Sequence, residues 1–283
     1  MSAVAMNGGL PQSLGAVGEP ALRIGLVTDV HYADRVSAGT RHYRDSMNKM
    51  KECVRRFNEA DVDLAVELGD LIDAAETVET EIAHLHEIEK VFREVKAPRH
   101  YVLGNHCVST LTKEQFYSNS DARPGHYSFD QGGFHFVILD ACFRQDGVPY
   151  GNRNFEWTDT SIPAHELEWL QSDLEHTALR TIVFGHQRLD IEGPHAVKNA
   201  PLVRNVLEKS EKVLAVFQGH NHVNDHREIG RIHYCSLAAV IEGAGAENNA
   251  YGVLEVHGDG TLKLEGFRKQ SNYRLNSNLQ KRL

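Results

Sequence analysis

The chain has 283 residues, of which 41% are hydrophobic and 24% charged, as in folded globular proteins rather than disordered or collagen-like ones. Its formal net charge is −9 and it has no run of Lys or Arg, which argues against a surface that binds duplex nucleic acid. No apolar stretch reaches the length of a membrane span, and we therefore expect no membrane partner.

The first 20 residues are small, Gly-rich and nearly uncharged, and we interpret them as a flexible tail before a single domain over residues 21–283. The triplet Ala3-Val4-Ala5 matches a signal-peptidase site, so the remnant of a trimmed export signal is the alternative. We favour a cytoplasmic protein, and an exported or periplasmic one follows from that alternative. The four cysteines are widely spaced and predicted to be buried thiols: Cys53, Cys107, Cys142 and Cys235.

The first hundred residues alternate predicted strands and helices. Apolar runs predict strands at 22–28, 62–68 and 100–103, and apolar residues at helical spacing predict helices at 44–58 and 82–95. This order implies right-handed crossovers and a largely parallel sheet. The carboxyl ends of its strands should therefore lie along one edge, where open α/β sheets bind ligands.

The second half contains a predicted hairpin, in which Gln131-Gly132-Gly133 joins strands at 127–129 and 134–139. A long polar and aromatic connection, residues 140–163, follows. The remaining predicted elements are a helix around Leu167, Leu170 and Leu174, a helix at 201–209, and strands at 181–184, 213–217, 232–237, 251–256 and 262–267. The pattern indicates one α/β domain with two sheets and helices outside them.

A polar cluster stands where each of five predicted strands ends. The clusters are Asp29-Val30-His31, Gly69-Asp70-Leu71-Ile72-Asp73, Gly104-Asn105-His106, Gly185-His186 and Gly219-His220-Asn221-His222. Two neighbouring divalent cations need an anionic bridge, which the Asp70 carboxylate can supply. Imidazole, carboxylate and amide ligands suit Mn²⁺, Fe²⁺ or Zn²⁺ better than Ca²⁺.

Local geometry is expected to bring these side chains together. In an extended segment residues i and i+2 point to the same side, so Asp29 and His31 should meet one ion, and His220 and His222 should converge on the same cleft. The glycines that precede Asp70, Asn105, His186 and His220 are expected to permit tight turns and close backbone approach.

The ordered set D-x-H, G-D-x-x-D, G-N-H, G-H and G-H-x-H resembles the calcineurin-like metallophosphoesterase superfamily, over residues 29–222. The resemblance implies a four-layered α/β/β/α sandwich of two mixed sheets flanked by helices, and a metal-dependent phosphoric ester hydrolase. It implies one cation held by Asp29, His31, Asp70 and His222, and a second held by Asp70, Asn105, His186 and His220.

The same resemblance implies that a hydroxide bridging the two cations attacks phosphorus, and that His106 acts as general acid without binding metal. Asp73 resembles the partner that orients His106 and favours its charged form. The alternative for Asp73 is an acidic residue at the start of the following helix.

Two branches of the superfamily fit poorly. Purple acid phosphatases carry Tyr where this chain has Asp73, and serine/threonine phosphatases carry Arg and an acidic residue where it has Ala74 and Cys107. Other stretches resemble the manganese-dependent ADP-ribose/CDP-alcohol diphosphatases. They are Gly125-His126-Tyr127-Ser128-Phe129, Val137-Ile138-Leu139-Asp140, Glu166-Leu167-Glu168-Trp169-Leu170 and Val240-Ile241-Glu242-Gly243.

Three functions stay open. One is hydrolysis of phosphodiester or phosphoanhydride bonds in a small, nucleotide-like substrate, and another is a broad phosphomonoesterase. The third, an interaction module without metals, is disfavoured because every ligand position is filled. In the long connection, Tyr150, Phe155 and Trp157 either stack on a nucleobase or close the loop.

Overall fold

The computed structural model describes residues 18–277. Residues 18–20 have no regular secondary structure, and the rest of the predicted N-terminal tail lies outside the described residues. Among the described residues, no helix combines the length and hydrophobicity that a membrane-spanning segment requires. The four cysteines are buried free thiols, as predicted.

Two six-stranded mixed sheets form the centre of the fold. The first contains β1 (Leu22–Val27), β2 (Leu64–Glu67), β3 (Arg99–Tyr101), β10 (Ala250–Val256), β11 (Leu262–Arg268) and β12 (Tyr273–Leu275) in the order β12-β11-β10-β1-β2-β3. The second contains β4 (Tyr127–Gln131), β5 (Phe134–Ile138), β6 (Arg180–Phe184), β7 (Val213–Gln218), β8 (Asp225–Ile229) and β9 (Ile232–Ser236) in the order β4-β5-β6-β7-β9-β8.

Helices cover the outer face of each sheet. They are α1 (Asp45–Glu59), α2 (Val78–Phe92), the short α3 (Lys113–Ser118), α4 (Ala164–His176) and α5 (Ala200–Ser210). The first sheet packs on α1 and α2, and the second sheet packs on α4 and α5. The sheets face each other across a third apolar layer. The structure therefore has the α/β/β/α arrangement that the resemblance implied.

Alternation of side chains along the strands produces these layers. In β1, Ile24 and Leu26 enter the core between the sheets, while Val27 packs under the helices. In β5, Phe136 enters the core between the sheets and Val137 faces α4 and α5. Strands buried on both faces are apolar at nearly every position, which explains why they were recognisable as continuous apolar runs.

The predicted parallel core is correct for β1, β2 and β3, which pair in parallel, but β10 joins β1 in the antiparallel direction and makes this sheet mixed. Among the α-helices and strands of the described residues, three short ones were not predicted: α3 and the edge strands β8 and β12. Half or more of the residues in β8 and β12 are exposed or only partly buried, so their sequences lack the continuous apolar runs of the central strands. The 140–163 connection contains no helix or strand, as expected.

A candidate dinuclear metal centre

The five polar clusters meet at the carboxyl ends of the strands, where backbone hydrogen bonds join successive loops. The backbone N–H of Asp29 donates to the carbonyl of Gly69 at 3.0 Å, and that of Gly219 donates to the carbonyl of His186 at 3.0 Å. The N–H of His220 donates to the Asp29 carboxylate at 3.0 Å. The two sheets thereby bring motifs 191 residues apart into one cleft.

Five candidate ligands have a left-handed backbone. They are Asp29, His31, Asp70, His220 and His222, with φ of 52°, 45°, 61°, 72° and 62°. This corrects the expectation that Asp29 and His31 share one side of an extended segment. Such conformations cost on the order of 1–2 kcal/mol per non-glycine residue, so the surrounding hydrogen bonds must hold these turns in place.

Glycines allow this close approach at specific positions. A Cβ on Gly104 would collide with the Asp70 backbone and carboxylate, and one on Gly219 would collide with Thr28 and the Asp29 carboxylate. A Cβ on Gly185 would meet no atom, which corrects the expectation that this glycine is needed for close approach.

The first candidate cluster consists of Asp29, His31 and His222, whose ligand atoms lie within 4.8 Å of one another. The two imidazole Nε2 atoms are 3.2 Å apart. The Asp29 Oδ1 atom lies 3.6 Å from Nε2 of His31 and 3.4 Å from Nε2 of His222. Three potential donors of electron pairs therefore converge on one point.

The second candidate cluster consists of Asp70, His186 and His220, again within 4.8 Å. The Nε2 atom of His186 lies 3.1 Å from Oδ2 of Asp70. The Nδ1 atom of His186 is 2.8 Å from the carbonyl of Leu68, to which its N–H donates, and this leaves the lone pair on Nε2 directed at the cluster.

One carboxylate oxygen of Asp70, Oδ2, lies close to ligand atoms of both clusters. Its Oδ1 accepts the backbone N–H of His106 at 2.7 Å. Its Oδ2 lies 3.1 Å from Nε2 of His186 and 3.5 Å from Nε2 of His31. The geometry thus places one carboxylate oxygen between the two clusters.

Unpaired buried atoms indicate that this donor set fits divalent cations. Eighteen buried side-chain atoms have no hydrogen-bond partner among the described residues, and four of them are potential ligand atoms of this centre: Asp29 Oδ1, Asn105 Oδ1, His186 Nε2 and His220 Nε2. Each unsatisfied buried polar group costs about 1–3 kcal/mol, so a concentration of them at one place calls for a binding partner. All four belong to predicted metal ligands.

The buried carboxyls and imidazoles of the two clusters shift one another's pKa. Burial opposes ionisation of Asp29 and Asp70, but the neighbouring histidines outweigh it and hold the pKa of both carboxyls well below the usual range. Burial likewise opposes charge on His222, yet Asp29 and a bond to Glu242 raise its pKa to about 10. Burial and the nearby His186 instead lower the pKa of His220 well below its ordinary value.

His106 and Asp73 form a pair beside the clusters. The Nδ1 atom of His106 lies 2.7 Å from Oδ1 of Asp73, and the His106 ring packs at 4.5 Å edge-to-face on His31. Helix α2 begins at Val78 with Thr77 as its cap, so the alternative of Asp73 as a helix-terminal acid is wrong. A ligand atom of His106 also lies within 4.8 Å of those of Asp70 and His31.

Comparison with known proteins identifies the family. The model of the calcineurin-like phosphoesterase family matches residues 22–224. The chain belongs to this family. It is a metal-dependent phosphoric ester hydrolase, and its phosphoesterase motifs are those at the ends of β1, β2, β3, β6 and β7.

Individual relatives agree with this assignment. A manganese-dependent ADP-ribose/CDP-alcohol diphosphatase of Danio rerio is 24% identical, with 72% of this chain and 82% of that protein aligned. A dimetal phosphatase from Danio rerio shares the fold with a TM-score of 0.81 at 20% identity, covering 92% of this chain and all of that one. A purple acid phosphatase from yellow lupin shares the fold with a TM-score of 0.60 at 14% identity, and the match covers 92% of this chain and 55% of that one.

The structure adds residues to the phosphoesterase site that the sequence motifs did not reveal. Glu242 Oε1 lies 2.7 Å from Nδ1 of His222. A terminal nitrogen of Arg35 donates to Oδ2 of Asp73 at 2.8 Å, and one of Arg41 lies 3.8 Å from the same oxygen. Glu242 lay within a stretch noted only for its resemblance, and no spacing rule connects the two arginines to the centre.

The aromatic residues of the 140–163 connection separate into two groups. Tyr150 is buried, stacks on Phe155 at 3.7 Å and donates its hydroxyl to the carbonyl of Asp159. The two rings therefore pack on each other within the loop, and the buried Tyr150 ring is not open to a nucleobase. The Trp157 side chain is instead 40% exposed, and its ring lies 5.8 Å from that of His220.

A further histidine, His195, adjoins this tryptophan. Its ring is 5.0 Å from that of Trp157 and 5.2 Å from that of His220. The two rings form an aromatic surface at the edge of the second cluster. His195 lies outside the five motifs, and sequence reasoning gave it no role.

The other stretches that resemble the diphosphatases are structural. Glu166 accepts the backbone N–H of Asp140 and lies 3.2 Å from Nδ1 of His126, and Ser128 donates to Asp173. Trp169 packs its ring 4.4 Å from that of His126. These contacts attach α4 to the β4–β5 hairpin.

Proposed function

We propose that this phosphoesterase hydrolyses phosphodiester or phosphoanhydride bonds of nucleotide-like substrates at a centre of two divalent cations. The observation that supports it most directly is the group of buried, unpaired ligand atoms on Asp29, Asn105, His186 and His220. Since burial without a partner is costly, a bound cation explains why these groups are retained together.

The proposed ligands follow the two clusters. One cation would be held by Asp29, His31, Asp70 and His222, and the other by Asp70, Asn105, His186 and His220. Bound divalent cations supply the Lewis acidity that activates water and neutralises phosphate oxygens. Manganese is a suitable candidate, because the aligned diphosphatase is named as manganese-dependent and the mixed donor set suits that ion.

The chain's own groups would orient the ligands. The carbonyl of Leu68 fixes the His186 ring, and the Glu242 carboxylate fixes the His222 ring. In both cases a hydrogen bond at Nδ1 leaves Nε2 available as the electron-pair donor. The backbone N–H of His106 similarly fixes Asp70 so that Oδ2 faces the centre.

His106 would act as the general acid. Its Nδ1–H donates to Asp73, which leaves Nε2 as the atom that gives a proton to the departing oxygen. The His106 side chain is 25% exposed, so a substrate can reach it from the cleft. Asp73 would fix the ring orientation, and Arg35 with Arg41 would add positive charge near the substrate phosphate.

The exposed ring of Trp157 beside the second cluster would receive the planar part of a nucleotide-like substrate. A broad phosphomonoesterase is the second candidate, because the metal centre alone suits both reactions. With Mn²⁺ added, we expect kcat/KM at least about tenfold higher for bis-p-nitrophenyl phosphate or ADP-ribose than for p-nitrophenyl phosphate. A preference for the monoester would overturn the proposed specificity.

Metal analysis tests the centre independently of activity. Asp70→Asn should lower the content of both cations, because its oxygen faces both clusters. Asp34→Asn is the matched control, since that carboxylate is exposed and pairs with Arg44 away from the centre. Elemental analysis that found full metal content in Asp70→Asn would contradict the shared-ligand assignment.

A further inference from the structure

A cavity of about 510 Å³ opens beside the first cluster. His222 and Glu242 lie at its wall, together with Thr40, Asn248 and Lys269, and we name it the Lys269 cavity. Its volume falls within the range of about 300–1,000 Å³ that small-molecule sites occupy. The cavity is large enough for a substantial part of a substrate.

The cavity adjoins the proposed catalytic centre at His222. His222 contributes Nε2 to the first cluster, and the same residue lines the cavity. Its Nδ1 atom is 2.7 Å from Glu242, which also lines the cavity. The cavity therefore lies beside the place where a substrate phosphate would meet the first cluster.

Trp157 and His195 lie against His220 of the second cluster, whereas the Lys269 cavity borders His222 of the first. The centre thus has an aromatic surface at one cluster and, at the other, a cavity whose wall combines small apolar residues with Lys269 and neutral polar side chains. This arrangement suits a substrate with two chemically different parts: a planar part that meets the aromatic surface and a polar part that enters the cavity.

Lys269 supplies a cation to the cavity. Among the residues that the structure describes, none forms a hydrogen bond or ion pair with its ammonium group. Its backbone is fixed, since its N–H donates to the carbonyl of Asn249 at 2.9 Å and its carbonyl accepts from Asn224 at 2.8 Å. A positioned backbone with a free ammonium group suits recognition of an anion.

The one acidic side chain at the cavity wall, Glu242, is already engaged. Its carboxylate accepts a hydrogen bond from Nδ1 of His222 at 2.7 Å. Asn248 and Thr40 are neutral. An anionic group entering the cavity would meet the ammonium group of Lys269 without a competing carboxylate partner.

We propose that the Lys269 cavity binds the part of the substrate beyond the reacting phosphate, and that Lys269 selects substrates in which this part is negatively charged. This inference rests on the proposed function, and it makes Lys269 a specificity-determining residue. A second phosphate group adjoining the reacting one is the chemistry that best fits an ammonium group in this position.

Lys269→Gln tests the inference with two substrates. ADP-ribose carries a second phosphate, and bis-p-nitrophenyl phosphate carries only the one that reacts. We expect the variant to raise KM for ADP-ribose about tenfold with kcat unchanged, as loss of one exposed charge-assisted hydrogen bond should. Activity on bis-p-nitrophenyl phosphate should change by less than about twofold.

Two further variants separate charge from structure. Lys269→Arg should restore most of the affinity for ADP-ribose because it keeps the positive charge. Lys263→Gln is the matched control: this lysine lies on β11, the strand that ends one residue before Lys269, pairs with Glu255 at 3.0 Å and does not line the cavity. In the wild-type protein, KM for ADP-ribose should also rise with ionic strength more steeply than in Lys269→Gln.

The outcomes distinguish this inference from the function on which it rests. Unchanged KM for ADP-ribose in Lys269→Gln, or equal losses on both substrates, would overturn the role of Lys269. Wild-type hydrolysis of bis-p-nitrophenyl phosphate alone would also overturn it while leaving the proposed function intact. Wild-type failure on both substrates with Mn²⁺ bound would remove the proposed function and this inference together.

Discussion

Removing the Glu242 carboxylate should weaken metal binding although Glu242 is not itself a proposed ligand. Its Oε1 atom lies 2.7 Å from Nδ1 of His222, on the opposite side of the ring from Asp29. Partners in such carboxylate–histidine pairs fix the ring and make its other nitrogen a better donor, and their loss costs about 10–100-fold in metal affinity. That range equals about 1.4–2.8 kcal/mol.

Two substitutions separate the contribution of ring orientation from that of the negative charge. In Glu242→Gln the amide oxygen can still accept the Nδ1–H of His222, so orientation persists while the negative charge is lost. In Glu242→Ala both are lost. Since Asp29 remains within 3.4 Å of His222, part of the electrostatic support survives in each variant. We expect Gln to weaken Mn²⁺ binding about tenfold or less, and Ala to weaken it by about 10–100-fold.

Isothermal titration of metal-stripped protein with Mn²⁺ measures this directly, and the Mn²⁺ concentration for half-maximal activity provides a second readout. Glu247→Gln is the matched control, because Glu247 is an exposed acid five residues away. Equal Mn²⁺ affinity in wild type and Glu242→Ala would refute the reasoning. An equal loss in Glu247→Gln would show that only the overall surface charge matters.

Three further predictions follow from the same geometry. His106→Ala should cut kcat by ~10²-fold or more with normal metal content, measured by steady-state kinetics and elemental analysis, and an active metal-replete variant would contradict this. Burial lowers the pKa of His31, His186 and His222, but the neighbouring carboxylates outweigh it and raise the pKa of all three. Mn²⁺ binding near neutral pH should therefore release protons, and the affinity for Mn²⁺ should increase with pH. Calorimetric titrations in buffers of different ionisation enthalpy measure this proton release. Arg188→Met should destabilise the protein by about 3 kcal/mol in urea unfolding, because the buried Asp190 carboxylate loses its two-bond ion pair with Arg188 and keeps only the longer contact with Arg227 and the bond from Gln218. Arg55→Met, at an exposed position, is the control.

Much of the fold was predictable because its central strands are buried on both faces. Continuous apolar runs located β1, β2, β5, β6 and β7, and periodic apolar residues located the four longer helices. The missed elements were short or at sheet edges, where half-exposed residues give no continuous apolar signal. The antiparallel junction of β1 with β10 also had no local signal, because it joins segments more than 200 residues apart.

The candidate ligands were recognisable from residue types at strand ends, but the reason for their convergence was not. Period-two alternation suggested that Asp29 and His31 point together, whereas both adopt left-handed turns. Those turns are held by hydrogen bonds to the neighbouring loop that carries Gly69 and Asp70. Residues far along the chain impose this conformation.

The sequence by itself determined the candidate metal-ligating groups. They are carboxylate, imidazole and amide groups at the ends of apolar strands, in an order typical of one family of hydrolases. These signals are local, since burial and strand termination are encoded within a few residues. Only the tertiary structure decided which groups surround that centre, including Glu242 behind His222, the arginines beside Asp73, and the cavity at Lys269. Such contacts arise from chain crossings between distant segments, and no short-range pattern records them.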